Sequence, residues 1–320
     1  MKLTHIFLAF LVLNLSPLKA QTIKNTNSFS VIPLGVKGGL DESNLSSYLV
    51  AGAGSSQFIC LDAGTINTGL QKAVQNKLFN ERSAESVQKK YINSYFISHG
   101  HLDHTAGLIL NSPNDVSKNI YAIPSVIDVL KSSYFTWKSW ANFANEGDKP
   151  ILNKYNYTYL VPGVEIAIPN TELHVTPYVL SHVNPYESTA FLVRNNNSYL
   201  LYLGDTGADT VEQSNKLKTL WTAVADKVKS EQLKAIFIEV SFDNSMPNKS
   251  LFGHLTPNLL MQELETLNKI SAGKLNKVKI VVTHMKPCET CEPSIMEQIK
   301  TANKLGLSIV YPKQGVEMTF

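Results

Sequence analysis

One run of six residues constrains this chain more than any other: His99-Gly100-His101-Leu102-Asp103-His104. It follows directly on the apolar run Tyr95-Phe96-Ile97-Ser98, which reads as a short buried strand. Three imidazoles and a carboxylate packed so closely require a strand that ends at a loop able to surround a cation. In an extended loop alternate residues point the same way, so His99 and His101 can grip one ion. Asp103 and His104 then point towards a second position nearby. Mixed nitrogen and oxygen donors suit Zn²⁺, with Mn²⁺ and Fe²⁺ as alternatives. The bland alternative is a polar loop with surface histidines.

Four donors do not complete two metal sites, and three more stand after strand-like runs. His182 follows Leu173 to Leu180, Asp205 follows Tyr199 to Leu203, and His284 follows Val278 to Val282. Each alone would read as a hydrogen-bonded structural residue. The glycines flanking Asp205 are expected to allow a close approach to an ion.

Other runs also read as strands: Ser28 to Val36, Ser47 to Ala51, Phe58 to Asp62, Thr189 to Val193, Ala235 to Val240, Leu307 to Val310 and Val316 to Phe320. Helical spacing is expected over Asn67–Phe79, Ala84–Ile92, Thr105–Leu110, Asn258–Asn268 and Ser294–Leu305. Strands with interspersed helices, and no internal repeat or low-complexity linker, point to one layered α/β domain. Periodicity does not choose the layering.

Hydrophobic residues at 43% and charged residues at 17% allow a sizeable core and argue against disorder. A formal charge of +3, with no long basic run, excludes a polyanion-binding surface, so no nucleic-acid partner is expected. Residues 1–20 read as a signal peptide. Lys2 gives the positive start, Ile6 to Leu15 is apolar except for Asn14, Pro17 breaks the run, and Ala20 precedes Gln21. The run is too short to span a bilayer. The mature chain, residues 21–320, is then expected in a periplasm or outside the cell, without a membrane anchor. An uncleaved anchor or buried amino-terminal helix is the alternative. Of the three cysteines, Cys60 lies in an apolar strand, while Cys288 and Cys291 form a CxxC that could close as a local disulfide after export.

The first motif resembles the His-x-His-x-Asp-His signature of the metallo-β-lactamase superfamily. The longer string from His99 to Pro113, HGHLDHTAGLILNSP, resembles that of the class II cyclic-nucleotide phosphodiesterases. Thr105 departs from the aliphatic residue usual there. Leu203-Gly204-Asp205-Thr206-Gly207, Phe252-Gly253-His254-Leu255-Thr256-Pro257 and Thr283-His284-Met285-Lys286-Pro287 match further, and Trp140-Ala141-Asn142-Phe143 more loosely. The resemblance covers nearly all of the mature chain.

It implies a metallo-β-lactamase-type αββα sandwich, two mixed sheets flanked by helices, holding two divalent metal ions. Carried over residue by residue, it puts His99, His101 and His182 on one metal and Asp103, His104 and His284 on the other, with Asp205 between them. The implied activity is metal-dependent hydrolysis of 3′,5′-cyclic nucleotides, cyclic AMP or cyclic GMP, to 5′-monophosphates. His254 stands outside the ligand set as a candidate proton donor. Glu239 is its candidate partner, because related phosphodiesterases that process transfer RNA carry a comparable Glu and His pair. Asp103 joins these two in the catalytic set. Lys286 reads as a solvated lysine. A lactone, a thioester or another phosphodiester would be the alternative substrate, and an exported binding protein the non-enzymatic alternative.

Overall fold

The computed structural model describes residues 28–320. The expected signal segment lies outside them.

Two seven-stranded sheets form the frame. The first contains β1 (Phe29–Gly35), β2 (Ser47–Gly52), β3 (Phe58–Leu61), β4 (Ile92–Phe96), β5 (Lys118–Ala122) and β6 (Tyr155–Tyr159), in that spatial order. The second contains β7 (Ile166–Ala167), β8 (Leu173–Ser181), β9 (Glu187–Asn195), β10 (Ser198–Leu203), β11 (Leu233–Glu239), β12 (Lys279–Thr283) and β13 (Ser308–Val310), also in order. The chain end returns as β14 (Met318–Thr319) to close the first sheet beside β1. In both sheets antiparallel pairs give way to parallel ones: at β3–β4 in the first and at β10–β11 in the second. The sheets therefore repeat a topology that the sequence does not repeat.

The helices are α1 (Asn67–Gln75), α2 (Ala84–Tyr91), α3 (Leu102–Asn111), α4 (Pro124–Val129), α5 (Asp209–Glu212), α6 (Lys216–Lys229), α7 (Pro257–Ile270) and α8 (Cys291–Ala302). Period-two alternation sends one face of each sheet inward. Phe29, Val31 and Tyr48 of the first sheet share one core with Phe191, Tyr202 and Phe237 of the second. The opposite face of the second sheet, with Leu201, Ile236, Ile238 and Val282, packs under Leu220, Trp221 and Val224 of α6 and Leu260 and Leu264 of α7. Helices α1, α2 and α4 lie against the first sheet. This is the expected αββα sandwich.

Several local expectations are corrected. Helix α2 stops at Tyr91 and β4 begins at once, so the strand before the His-rich loop ends at Phe96. Helix α3 begins at Leu102 and not at Thr105. His101 is its N-cap in extended backbone, and the Thr105 hydroxyl donates to the His101 carbonyl at 2.9 Å. Only His99 to His101 is thus an extended loop. Asp103 and His104 sit on the first turn of a helix, where the free N–H groups favour a carboxylate. Strands β5, β6 and β7 and helices α4, α5 and α6 were not anticipated. Cys288 and Cys291 are joined as a disulfide, with their Cα atoms 5.2 Å apart, and Cys60 is a buried free thiol. Among the described residues, no helix is long and apolar enough to cross a membrane.

Candidate active site

The seven donors come together at the ends of the strands. His182 follows β8 directly, His284 follows β12 directly, and Asp205 stands two residues beyond β10. His101 Nδ1 faces His182 Nε2 at 3.2 Å, with the buried His99 ring beside both. His284 Nε2 lies 3.2 Å from Asp103 Oδ2 and 3.1 Å from Asp205 Oδ2. His104 Nε2 lies 3.3 Å from Asp205 Oδ1, and His99 Nε2 lies 3.8 Å from Asp205 Oδ2. Four overlapping groups of donors are compact enough for an ion: His99, His101 and His182; Asp103, His104, Asp205 and His284; His182, Asp205 and His254; and Glu239, His254 and His284. The first two share no residue and match the expected pair of sites. The Asp205 carboxylate reaches both.

The rings of His99, His104, His182 and His284 are each aimed by a second contact. His182 Nδ1 meets the Gly253 carbonyl at 2.8 Å. Gly253 holds φ +74, and a Cβ there would collide with Val183 N and the His182 ring, so only glycine serves. His104 Nδ1 meets Asp62 Oδ2 at 2.7 Å, which leaves Nε2 turned to Asp205. Ser98 Oγ lies 3.0 Å from His99 Nδ1. Gly39 N–H donates to Asp103 Oδ2 at 3.0 Å. Metal-bound histidines are ordinarily oriented in this way.

Three buried atoms at the centre make no well-directed hydrogen bond, although Asp205 lies within 3.3 Å of the His104 and His284 rings: His99 Nε2, His104 Nε2 and Asp205 Oδ2. Sealed polar atoms without partners cost about 1–3 kcal/mol each, so their convergence on one point needs a ligand to explain it. Charge points the same way. Burial, and then the His104 ring, press His99 well below the ordinary histidine value; burial also lowers His182, to about 4. Both stand neutral, as metal ligands must. Burial opposes charge on His104 and His284 too, but Asp205 and its neighbouring carboxylates outweigh it and both are raised. Burial likewise works against the Asp205 anion, yet His284 and His104 hold it well below the carboxylate range. The acidic side of the site therefore draws positive charge, whether as protons or as a cation. The donor set fits two divalent ions.

Beside this lies the expected proton-donor pair. His254 Nδ1 is 2.9 Å from Glu239 Oε1 and 3.8 Å from Asp205 Oδ2. The Thr256 hydroxyl caps α7 and Pro257 starts it, which fixes His254 two residues ahead of the cap. Burial pushes Glu239 up to about 8 and His254 down to about 3. Burial thus works against charge on both members of the pair, and the short contact between them can hold one proton. Lys286 is half-buried with its ammonium 4.8 Å over the Phe242 ring, close enough to His254 to oppose its protonation.

Two residues of this site were not anticipated. Asp62 takes hydrogen bonds from Ser98 N–H (2.7 Å), Ser98 Oγ (2.8 Å) and Tyr202 OH (2.6 Å) besides its contact with His104. Ser241 Oγ donates to Glu239 Oε2 at 2.7 Å and lies 2.9 Å from His284 Nδ1, so it ties the Glu239–His254 pair to the ligand set. The glycines near Asp205 also serve packing. A Cβ at Gly204 would strike Ser98 and Ser188, and one at Gly207 would strike Glu212. They let the Asp205 loop pack closely against the neighbouring protein.

Comparison with known proteins agrees with this geometry. Residues 26–315 match the family described as cAMP phosphodiesterases class-II. A 3′,5′-cyclic-nucleotide phosphodiesterase of Aliivibrio fischeri is 39% identical over 310 residues, 92% of this chain and 94% of that protein. The crystal structure of unliganded yeast PDE1 superposes with a TM-score of 0.79 at 22% identity, over 91% of this chain and 98% of that one. A metallo-β-lactamase fold protein of Bacillus subtilis superposes with a TM-score of 0.62 at 15% identity, over 92% and 99%. These two structural likenesses establish the fold.

Proposed function

The chain belongs to the class-II cAMP phosphodiesterase family and hydrolyses 3′,5′-cyclic nucleotides, and from that premise we propose how its residues divide the work. His99, His101 and His182 would hold one divalent cation, and Asp103, His104 and His284 a second, with the Asp205 carboxylate within reach of both groups. The observation that carries this is the convergence of the sealed atoms His99 Nε2, His104 Nε2 and Asp205 Oδ2. Such a cation pair, when bound, makes hydroxide available near neutral pH and offsets charge on the phosphoryl oxygens. The all-nitrogen and oxygen donor set suits zinc, with manganese or iron as alternatives.

The remaining chemistry falls to the protein's own groups. The oxygen of water joins phosphorus as one of its protons leaves to solvent, the bond to the 3′ oxygen breaks, and that alkoxide takes a proton from His254 Nε2. The product is the 5′-monophosphate. Glu239 holds His254 in place through the 2.9 Å contact and can return the proton to the ring, while Ser241 fixes the other carboxyl oxygen. Asp103 is held by the Gly39 N–H, so its carboxylate stands ready at the mouth of the site. The proposal includes export of residues 21–320 after removal of 1–20, to a periplasm or beyond. The Cys288–Cys291 disulfide supports an oxidising compartment.

Metal analysis joined to product analysis tests the reading. Purified protein should hold close to two equivalents of transition metal and convert cyclic AMP or cyclic GMP to the 5′-monophosphate, and a strong chelator should abolish this. Asp205→Ala should lose both ions, and His284→Ala mainly one. Full turnover by metal-free protein would overturn it.

A further inference from the structure

The short strap that follows β1, Val36 to Gly39, is hydrogen-bonded to two proposed ligands of the second metal position. The His284 N–H donates to the Val36 carbonyl at 2.9 Å, and the Gly39 N–H donates to Asp103 Oδ2 at 3.0 Å. Between them Gly38 N–H reaches the Met285 carbonyl at 3.4 Å. A Cβ on Gly38 would stand 2.3 Å from the His284 ring, so the strap packs directly on that ligand. Among the described residues the strap makes no hydrogen bond to His99, His101 or His182. A shift of the strap therefore acts on one metal position and spares the other.

The strap is tied in turn to its own loop and to the start of α8. The Asn44 carbonyl accepts from the N–H groups of Val36 and Lys37 at 2.9 Å. The other tie is ionic: Lys37 Nζ pairs with the Glu292 carboxylate, with the two side chains only 15% and 29% exposed. Glu292 is the second residue of α8, and that helix begins without a side-chain cap, because Thr290 makes no capping bond. Pro293 restricts the first turn but brings no N–H to it. Residues 288–290 are exposed, so burial does not hold the turn either. The Cys288–Cys291 disulfide stands where a cap would be, and the Cys291 N–H donates to Cys288 Sγ at 3.0 Å. Further along α8, Ser294 Oγ donates to Asp243 and Gln298 accepts from Asn244 N–H. The body of the helix is thus anchored without the disulfide, while its first turn depends on it.

We propose that the Cys288–Cys291 disulfide and the Lys37–Glu292 pair form one latch that presets Asp103 and His284, so that the second metal is held tightly only by the oxidised chain. The proposal rests on the two-metal reading of the site. Lys37 and Glu292 are positioning residues, acting through the strap on the two ligands. Opening the latch needs a dithiol donor. Its two thiols close as a disulfide, and their two electrons and two protons pass to Cys288 and Cys291, which become free thiols. The first turn of α8 then loses its covalent closure and Glu292 its fixed place. The strap keeps its Asn44 bonds but not its ionic tie. Ser241 still holds the His284 ring, so the second position is loosened and not destroyed. In a reducing compartment the chain would carry one metal, and oxidation on export would complete it.

The test counts metals without a thiol reductant, which would itself bind them. Wild-type, Cys288→Ala/Cys291→Ala, Lys37→Met and Lys37→Arg proteins are loaded with zinc and titrated with a fluorescent chelator. Wild type should hold two equivalents. The alanine pair and Lys37→Met should each bind the second equivalent more weakly by about tenfold, the scale of one lost outer contact, with the first unchanged. Lys37→Arg keeps the charge and should restore wild-type binding. In the metal-free proteins, hydrogen exchange over residues 284–292 should be faster in the alanine pair than in wild type. Wild-type affinity for both equivalents in either the alanine pair or Lys37→Met, or unchanged exchange in the alanine pair, would overturn the latch. So would loss of both metals together, which marks collapse of the centre and not release of one position. Failure of the wild type to bind two equivalents would instead overturn the two-metal reading, and the latch with it.

Discussion

Asp62→Asn isolates a group that touches no substrate yet should govern one metal position. Asp62 Oδ2 faces three donors, the Ser98 and Tyr202 hydroxyls and His104 Nδ1, while Oδ1 takes only the Ser98 N–H. A carboxamide fits neither side fully. In its better orientation the amide oxygen replaces Oδ2, and its NH₂ confronts the Ser98 N–H. Two donors are then buried without acceptors, at about 1–3 kcal/mol each, so a stability loss of roughly 2–4 kcal/mol is expected after local relaxation. Asn is the right probe because Asp62 has φ +54, which Asn tolerates and Ala does not. The backbone therefore adds little to the loss. His104 also exchanges an anionic partner for a neutral one, and such outer contacts are worth about 10–100-fold in metal affinity. Tyr202→Phe removes one of the hydroxyls on the same carboxylate and leaves no donor stranded, so it should cost only about 1 kcal/mol. Urea unfolding and competition with a fluorescent chelator measure the two quantities. If Asp62→Asn binds both metal equivalents as tightly as wild type, Asp62 does not orient a ligand and the reasoning fails.

Two further outcomes follow from the same geometry. His254→Ala should keep both metals and lose roughly a hundredfold in turnover of cyclic AMP, the usual scale for a proton donor. The loss should be much smaller on a nitrophenyl phosphodiester, whose leaving group departs without a proton, and equal losses would reassign His254 to holding the phosphate. Exported protein should begin near Gln21, with Cys288 and Cys291 resistant to alkylation until reduced. A chain beginning at Met1, or free labelling of both thiols, would count against export.

The site was legible where its chemistry is local in sequence. His99 to His104 lie within one loop and one helical turn, and His182 and His284 directly follow strands whose apolar runs are easily read. Asp62 was not legible, because its partner His104 lies 42 residues on and nothing near Asp62 marks the contact. Ser241 is hidden for the same reason, 43 residues from His284. In the fold, β5 opens with Lys118, which reads as solvent-facing but is buried in an ion pair with Asp115. Strand β6 is rich in Tyr, Asn and Thr at the sheet edge, so its alternation is faint. Helix α6 differs, since Leu217, Leu220, Trp221, Val224 and Val228 do carry helical spacing. Counting that period would have found it.

Left-handed backbone marks both the centre of the site and the surface beside it. Asp62 and His284 hold left-handed backbone at φ of 54° and 58°, each at a cost on the order of 1–2 kcal/mol. Interior bonds hold both: Asp62 by its cluster of donors, His284 by its N–H to the Val36 carbonyl at 2.9 Å and by Ser241. Their conformation is thus set before any substrate arrives. Val183 and Phe252 carry similar strain at the surface, with side chains in solvent. A catalytic centre needs its ligands preset, because a shift of an ångström there is costly in rate.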